Sequence, residues 1–429
     1  MEKSYPRVLV VTCDPLSDSG SNGKVLSELF CDWESDKLAQ FYVTNEMPNF
    51  PVCRRYYRLT DNEAKNAFLG KKTYGRPLTG EETEQKNASA SKPSAKYIKK
   101  NPLTRLLRDL VWNSGRWQSP AFYRWVDEFS PEVIVVMVGE ASFIPKIAMR
   151  LSKRKNIPIV IFNTENYCLK KHNYMKGQGY PFLSWLFRKN SKRVFRKLMK
   201  KSACEIYNSE FLQAMYKEVF PKESFVLYQP TSLTPFERKK TFEGKFSYMG
   251  SLGLGRHVPL IEIGEALQAI SEEYYLDVYG RAQCCEVEKA LNEAKGIRFH
   301  GPVPYCVVKE RTEESDLLFH AEAMDEFHAR DLCTGFTTKI ADSLLSGRPF
   351  VMYAPKSIAG VHYLLENECA HVITDKESLG ARLKEICENE AVRNQYLDKA
   401  LAVGMANHNA GKNCEKMRTI LWDVLEKTR

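Results

Sequence analysis

Short, uninterrupted apolar runs recur along the chain, separated by stretches whose apolar positions return every three to four residues. Arg7-Val-Leu-Val-Val-Thr12 is the first such run and reads as a strand buried on both faces of a parallel sheet. A polar loop from Asp14 to Gly23 follows, then a helical pattern over Lys24–Phe30 and a second strand over Ala39–Val43. Val133–Val138 and Ile157–Phe162 are two more buried strands with a helix between them, and Ala203–Tyr207 and Ser224–Tyr228 complete the set. After a polar stretch at 231–245 the alternation restarts. Strands are expected at Phe246–Met249, Leu276–Tyr279, Ile297–His300, Asp316–Phe319 and Pro349–Tyr353, and a helix at Pro259–Ser271. The pattern predicts two successive α/β domains, each a doubly wound parallel sheet, with ligands beyond the carboxyl ends of the strands in an interdomain cleft. Residues 71–105 carry Gly, Pro, Ser, Lys and Asn with almost no apolar period and read as a mobile insertion. An amphipathic helix is expected over Lys412–Lys427. The expected division is 1–235, 236–410 and a final helix, 411–429, packing back on the first domain.

The most informative segment is Asp331-Leu-Cys-Thr-Gly-Phe-Thr-Thr-Lys-Ile-Ala-Asp-Ser-Leu-Leu-Ser-Gly-Arg-Pro-Phe350. It reads as a loop, a tight turn at Gly335, a short amphipathic helix from about Phe336, a stop at Gly347 and then a strand. Free N–H groups in the first helical turn, together with the helix dipole, make a seat for an anion. Asp342 lies two turns further along the same face, where a carboxylate can accept hydrogen bonds from a ribose. The plainer alternative is an ordinary loop and helix, with Asp342 a solvated surface acid.

Met249-Gly-Ser-Leu-Gly-Leu-Gly-Arg-His257 follows the first strand of the second domain. Its glycines permit close backbone approach to a phosphate, and Arg256 would pair with that phosphate through two hydrogen bonds. The spacing Gly250-x-x-Gly253-x-Gly255 is not that of a dinucleotide fingerprint. The alternative is a flexible turn with a solvated arginine. In the first domain, Gly20 and Gly23 would let their loop close over a ligand. This is not a P-loop, because Val25 stands where a magnesium-holding Ser or Thr belongs. Glu165, in Asn163-Thr-Glu-Asn166 after a strand, is the one acid among residues 151–200. It would orient a hydroxyl or stabilise positive charge on a reacting sugar ring, or else it balances nearby lysines. Glu140 has a weaker claim of the same kind. The histidines form no H-x-x-x-H pair, and no metal site is expected.

Composition narrows the class. The chain of 429 residues is 43% apolar and 27% charged, as in soluble globular proteins. No stretch approaches a membrane span, and the first residues lack an apolar signal region, so a cytoplasmic protein is expected. The twelve cysteines lack metal-site spacing and read as reduced thiols filling cores. Net charge is +15 over residues 1–230 and −5 over 231–429. The segment Tyr180–Lys201 is basic, aromatic and helical. Its tryptophan and phenylalanines among Arg188, Lys189, Lys192 and Arg193 suit an anionic membrane interface or a nucleic-acid surface. They equally suit a core-facing helix with a wet basic face.

Taken together, these motifs resemble the retaining, nucleotide-sugar-dependent glycosyltransferases of GT-B fold, close to the family-4 group and its bacterial surface-polysaccharide branch. Gly250-Ser251-Leu252 resembles that family's Gly-Arg-Leu, with Ser251 in place of Arg, and Arg256 falls where the family has a phosphate-binding Lys. Thr334 and Asp342 stand at the two ends of the family's E-x7-E motif, joined by a Phe-Thr-Thr-Lys-Ile stretch. Asn163-Thr-Glu-Asn166 replaces the family's histidine after the fourth strand.

The resemblance implies two Rossmann-like domains and transfer of a sugar from a nucleotide diphosphate, UDP- or GDP-linked, to a saccharide or polyprenyl-diphosphate-linked acceptor. It implies no metal and no cofactor. The donor would rest on Gly20, Gly250, Ser251, Gly253, Arg256, Gly335, Phe336, Thr337, Thr338 and Asp342. Glu165, Arg256 and Lys339 would carry the chemistry, the two cations by neutralising the leaving diphosphate. The basic first domain would bring the enzyme to the inner face of an anionic membrane, with no nucleic acid involved. A catalytically inactive scaffold of the same fold and a nucleotide-sugar epimerase remain as alternatives.

Overall fold

The computed structural model describes residues 4–17, 21–49, 51–72, 74–78, 101–171 and 179–428. The chain forms two compact units, one reaching Tyr228 and including the chain from Asn413 onward, the other spanning Gln229–Lys412.

In the first unit the strands are β1 (Val8–Val11), β2 (Leu38–Tyr42), β3 (Arg55–Arg58), β4 (Arg76–Pro77), β5 (Val133–Met137), β6 (Ile159–Asn163), β7 (Cys204–Tyr207) and β8 (Ser224–Val226). They pair in the order β4-β3-β2-β1-β5-β6-β7-β8, parallel except for β4. The helices are α1 (Ser21–Leu29), α2 (Asp61–Phe68), α3 (Pro102–Asn113), α4 (Pro120–Phe129), α5 (Phe143–Lys155), α6 (Pro181–Lys201) and α7 (Glu210–Lys217). The all-apolar strands are explained by burial on both faces. Val8 and Val10 join a core containing Leu26, Leu29 and Phe30, whereas Leu9 and Val11 face a second core rich in Trp112, Trp117, Phe122 and Trp125. The last helix, α17 (Ala410–Thr428), adds Cys414, Met417, Leu421 and Val424 to the first of these cores. Each such fully buried aliphatic side chain contributes about 1.5–3 kcal/mol.

The second unit holds β9 (Lys245–Met249), β10 (Tyr275–Tyr279), β11 (Ile297–Gly301), β12 (Leu317–Ala321), β13 (Phe350–Tyr353) and β14 (His371–Ile373). Their order is β11-β10-β9-β12-β13-β14, all parallel. The helices are α8 (His257–Ile270), α9 (Cys285–Glu293), α10 (Tyr305–Glu314), α11 (Glu326–Leu332), α12 (Thr338–Leu345), α13 (Ala359–Glu366), α14 (Lys376–Glu388), α15 (Glu390–Asn394) and α16 (Leu397–Asn407). The polar stretch at 231–245 is tied to this unit. Buried Arg348 donates to the carbonyls of Glu237 and Glu313, and Asp316 accepts from the N–H groups of Glu243 and Lys245.

One boundary needs correction. Residues 101–105, read as part of an insertion, begin α3. Asn101 and Thr104 form a reciprocal capping box with Pro102 in the first turn, a helix start written in polar residues. Arg76–Pro77 is likewise an edge strand, and 79–100 lie outside the described residues. The basic aromatic segment is helical as expected. α6 buries Phe187, Val194, Phe195, Leu198 and Met199, while Phe182, Trp185 and Leu186 remain 69%, 50% and 39% exposed.

Candidate donor-binding site

In the second sheet β9 lies between β10 and β12, so the loops after β9 and β12 leave in opposite directions at their carboxyl ends. Such a switch point opens a crevice. The loop after β9 carries the expected Gly250–Arg256 run, and it is a built turn rather than a loose one. Gly250 N–H donates to the Tyr279 carbonyl at 2.8 Å, and Tyr248 Oη donates to the Ser251 carbonyl at 2.7 Å. Ser251 Oγ in turn accepts from Gly253 N–H at 3.3 Å. A Cβ at Gly280, after β10, would stand 1.8 Å from the Gly250 carbonyl oxygen, so only glycine lets the two loops meet.

Arg256 is neither solvated nor open to a phosphate in the way its sequence position implies. Its Nε and Nη2 donate to the two carboxylate oxygens of Glu322, at 2.7 and 2.9 Å, in a largely buried pair. The two-pronged grip expected on a phosphate is thus made on a carboxylate just past β12. Burial alone would raise the Glu322 pKa. The hydrogen bond from His320 at 3.0 Å and the Arg256 charge outweigh it and hold the group at about 2. Burial pushes His320 down, favouring a neutral ring that donates to Glu322 through Nε2.

The segment before α12 divides into buried anchors and half-buried polar groups. Phe336 is buried, its ring 5.0 Å from Tyr363 and stacked 5.9 Å from His408. Its carbonyl accepts from Gln229 Nε2 at 2.6 Å. Phe336 is therefore a core anchor, and neither its ring nor its carbonyl is presented to a ligand. Thr334 is fully buried as well, with an unpartnered hydroxyl. Gly335 N–H closes a turn on the Leu332 carbonyl at 2.7 Å. Thr337 caps α12, and Thr338, Lys339 and Asp342 are half-buried along its first turns. Asp342 is not a solvated acid, since Thr231 Oγ donates to it at 2.6 Å.

Lys339 joins the two segments. A Cβ built on Gly250 would meet Lys339 Cε at 2.2 Å and Nζ at 3.0 Å. The ammonium therefore lies over the glycine turn, and it shares with Arg256 an influence on His320. Gly250, Ser251, Gly253, Arg256 and Lys339 form one constellation, joined by Glu322, His320 and Gln283, which no local motif marks. Gln283 would touch a Cβ at Gly253 at 2.4 Å. Glu322 and His320 had one available signal, their position at the end of the strand that flanks the switch point.

In the first unit the switch point falls between β1 and β5, where a small open pocket is lined by Thr12, Cys13, Asp14, Asn22, Leu26, Met137, Val138 and Gly139. Gly20 lies outside the described residues. Glu165 is half-buried after β6, and its carbonyl accepts from Tyr167 N–H at 3.0 Å. Glu140 is ion-paired with Arg105. Beside it, buried Asp109 accepts from Ser142 Oγ at 2.7 Å, an unforeseen polar junction where burial raises the carboxyl pKa.

No protein-family model matches the chain, and no curated protein matches it. Solved structures do. HepE of Anabaena, crystallised with UDP and glucose, superposes with a TM-score of 0.64 at 11% identity, covering 98% of this chain and 100% of its own. Sucrose-phosphate synthase from Thermosynechococcus elongatus gives 0.64 at 12% identity, covering 98% and 100%. The lipopolysaccharide outer core galactosyltransferase WaaB gives 0.52 at 13%, covering 95% and 97%. At such identities the likeness establishes the fold, which is GT-B: two Rossmann-like units of doubly wound parallel sheet.

Proposed function

We propose that the protein is a glycosyltransferase that moves a sugar from a nucleotide diphosphate to a saccharide or lipid-linked acceptor. The observation that carries this reading is Lys339, set over the Gly250 turn at the carboxyl edge of the β9–β12 switch point. An ammonium beside a glycine turn and a helix N-terminus provides three kinds of favourable contact for a diphosphate. The negative charge that develops on the leaving diphosphate would be neutralised there, in a preorganised site. Asp342, oriented by Thr231, would accept from the ribose. Arg256 would act through the shape and field of the turn as long as Glu322 holds it, and would contact phosphate directly only if that pair opened. No step needs a resident metal or cofactor. Glu165 would orient a sugar hydroxyl or stabilise positive charge on the reacting ring.

The fold neighbours support this choice of chemistry. HepE was crystallised with UDP and glucose, and WaaB is a galactosyltransferase of the lipopolysaccharide outer core. They favour a UDP-linked donor and a role in surface-polysaccharide synthesis. Retention of anomeric configuration follows from the family resemblance. Exposed Phe182, Trp185 and Leu186 on the cationic α6 favour an acceptor met at an anionic membrane face. Incubation with a panel of nucleotide sugars, read as nucleotide release with and without polyprenyl-linked saccharide, tests the reading. Release by wild type and not by Lys339→Ala supports it.

A second reading is favoured by two observations. Arg256 is occupied by Glu322, and Thr334, at the place of an acid, is buried. An inactive scaffold would bind nucleotide sugar without turnover, which the same assay separates by comparing binding with release.

A further inference from the structure

Away from the switch points, the turn after α1 and the last helix bring two thiols and a carboxylate together. Cys31 and Asp32 follow α1, and Cys414 lies on α17 within the same unit. The two sulfur atoms and an Asp32 carboxylate oxygen all lie within 4.8 Å of one another. Cys414 is fully buried, Cys31 is half-buried and Asp32 is exposed. Among the described residues this is the one group of three such ligands whose atoms approach so closely.

We propose that Cys31, Asp32 and Cys414 bind a soft divalent cation of the zinc class, with water as the fourth ligand on the exposed side. A tetrahedral zinc with bonds of about 2.3 Å to sulfur separates two sulfurs by roughly 3.8 Å, so the trio needs at most about 1 Å of closure. Two thiolates with one carboxylate favour zinc over magnesium or calcium, which take all-oxygen shells. On binding, the cation displaces one proton from each thiol into solvent, leaving a neutral dithiolate–metal pair with the carboxylate as third ligand. The bound ion would tie the turn after α1 to α17, whose Met417, Leu421 and Val424 are already part of the core. Five buried cysteines, Cys53, Cys168, Cys204, Cys369 and Cys387, fall in no such group and read as core filler.

Cobalt titration of reduced, metal-stripped protein without oxygen tests the site. The expected result is a near-ultraviolet thiolate-to-cobalt band that saturates at one equivalent and is displaced by zinc. The band is lost in Cys31→Ser and in Cys414→Ser, and Asp32→Asn binds more weakly. Zinc should also raise the melting temperature of wild type and leave Cys31→Ser unmoved. Cys31→Ser is the informative variant if Cys414→Ser fails to fold, since Cys31 is only half-buried. A band unchanged in both variants would assign the metal to other thiols, such as exposed Cys284, Cys285 and Cys306. That outcome overturns the proposal. So does the absence of a band, or a Cys31–Cys414 disulfide that on reduction takes up no metal.

Discussion

Lys339 lies against Gly250 so closely that the glycine's missing side chain is the space the lysine uses: a Cβ there would be 2.2 Å from Lys339 Cε. The first turn of α12 and the loop after β9 are thereby one surface. Gly250→Ala should displace the ammonium and, because the new Cβ would also stand 2.8 Å from Tyr248 Oη, strain the turn that this hydroxyl holds. A charge-assisted hydrogen bond is worth about 1.5–3 kcal/mol, so nucleotide-sugar affinity should fall roughly 10- to 100-fold. Calorimetric titration of the variant checks this, and unchanged affinity would separate Lys339 from the donor.

Gly280→Ala should behave differently. Its new Cβ would stand 1.8 Å from the Gly250 carbonyl, a backbone atom that cannot swing aside. We expect lower thermal stability together with weaker binding, whereas Gly139→Ala, where a Cβ meets nothing within 4 Å, should keep wild-type stability.

Much of this architecture is legible in the sequence, for a physical reason. Strands such as Val133–Met137 are buried on both faces and so appear as unbroken apolar runs. The strand Arg55-Tyr-Tyr-Arg58 carries no such run because it buries only its two tyrosines, and His371–Ile373 is only three residues long. At the site, the glycines and Lys339 were visible as local motifs. The Arg256–Glu322 pair was not, since its members meet across neighbouring strands and no spacing rule links them. Phe336 shows that a residue beside a polar turn can still point its ring into a core.

Phe336→Ala removes the ring shared by Tyr363 and His408. Large-to-small changes of this kind cost about 3–5 kcal/mol, so the melting temperature should drop markedly. Binding measured well below that temperature should be much less affected.

Acid stability should reflect His408. Burial lowers its pKa from 6.5 to about 4, so the unfolded chain takes up a proton in that window and the folded chain does not. Stability is full above pH 6.5 and declines as pH falls to 4, by up to about 3 kcal/mol. Glu322, lowered from 4.5 to about 2, extends the decline below pH 4.5. Melting curves across this range should show a shallower pH slope between 6.5 and 4 in His408→Phe, even though that variant is less stable throughout.

The outward aromatic face of α6 predicts association with anionic vesicles, weakened by salt and by the double change Phe182→Glu and Trp185→Glu. Co-sedimentation that ignores lipid charge, salt and both substitutions would remove the membrane from the account.

The central claim is that the carboxyl edge of β9 and the start of α12 hold a nucleotide diphosphate. Titration of UDP-, GDP- and ADP-sugars into wild type, Lys339→Ala and Asp342→Ala tests it most directly. The account predicts saturable binding of one nucleotide class, a loss of roughly 10- to 100-fold in Lys339→Ala, and a clear loss in Asp342→Ala. Binding that is equally tight in all three proteins, or no binding of any nucleotide sugar to folded wild type, would contradict it.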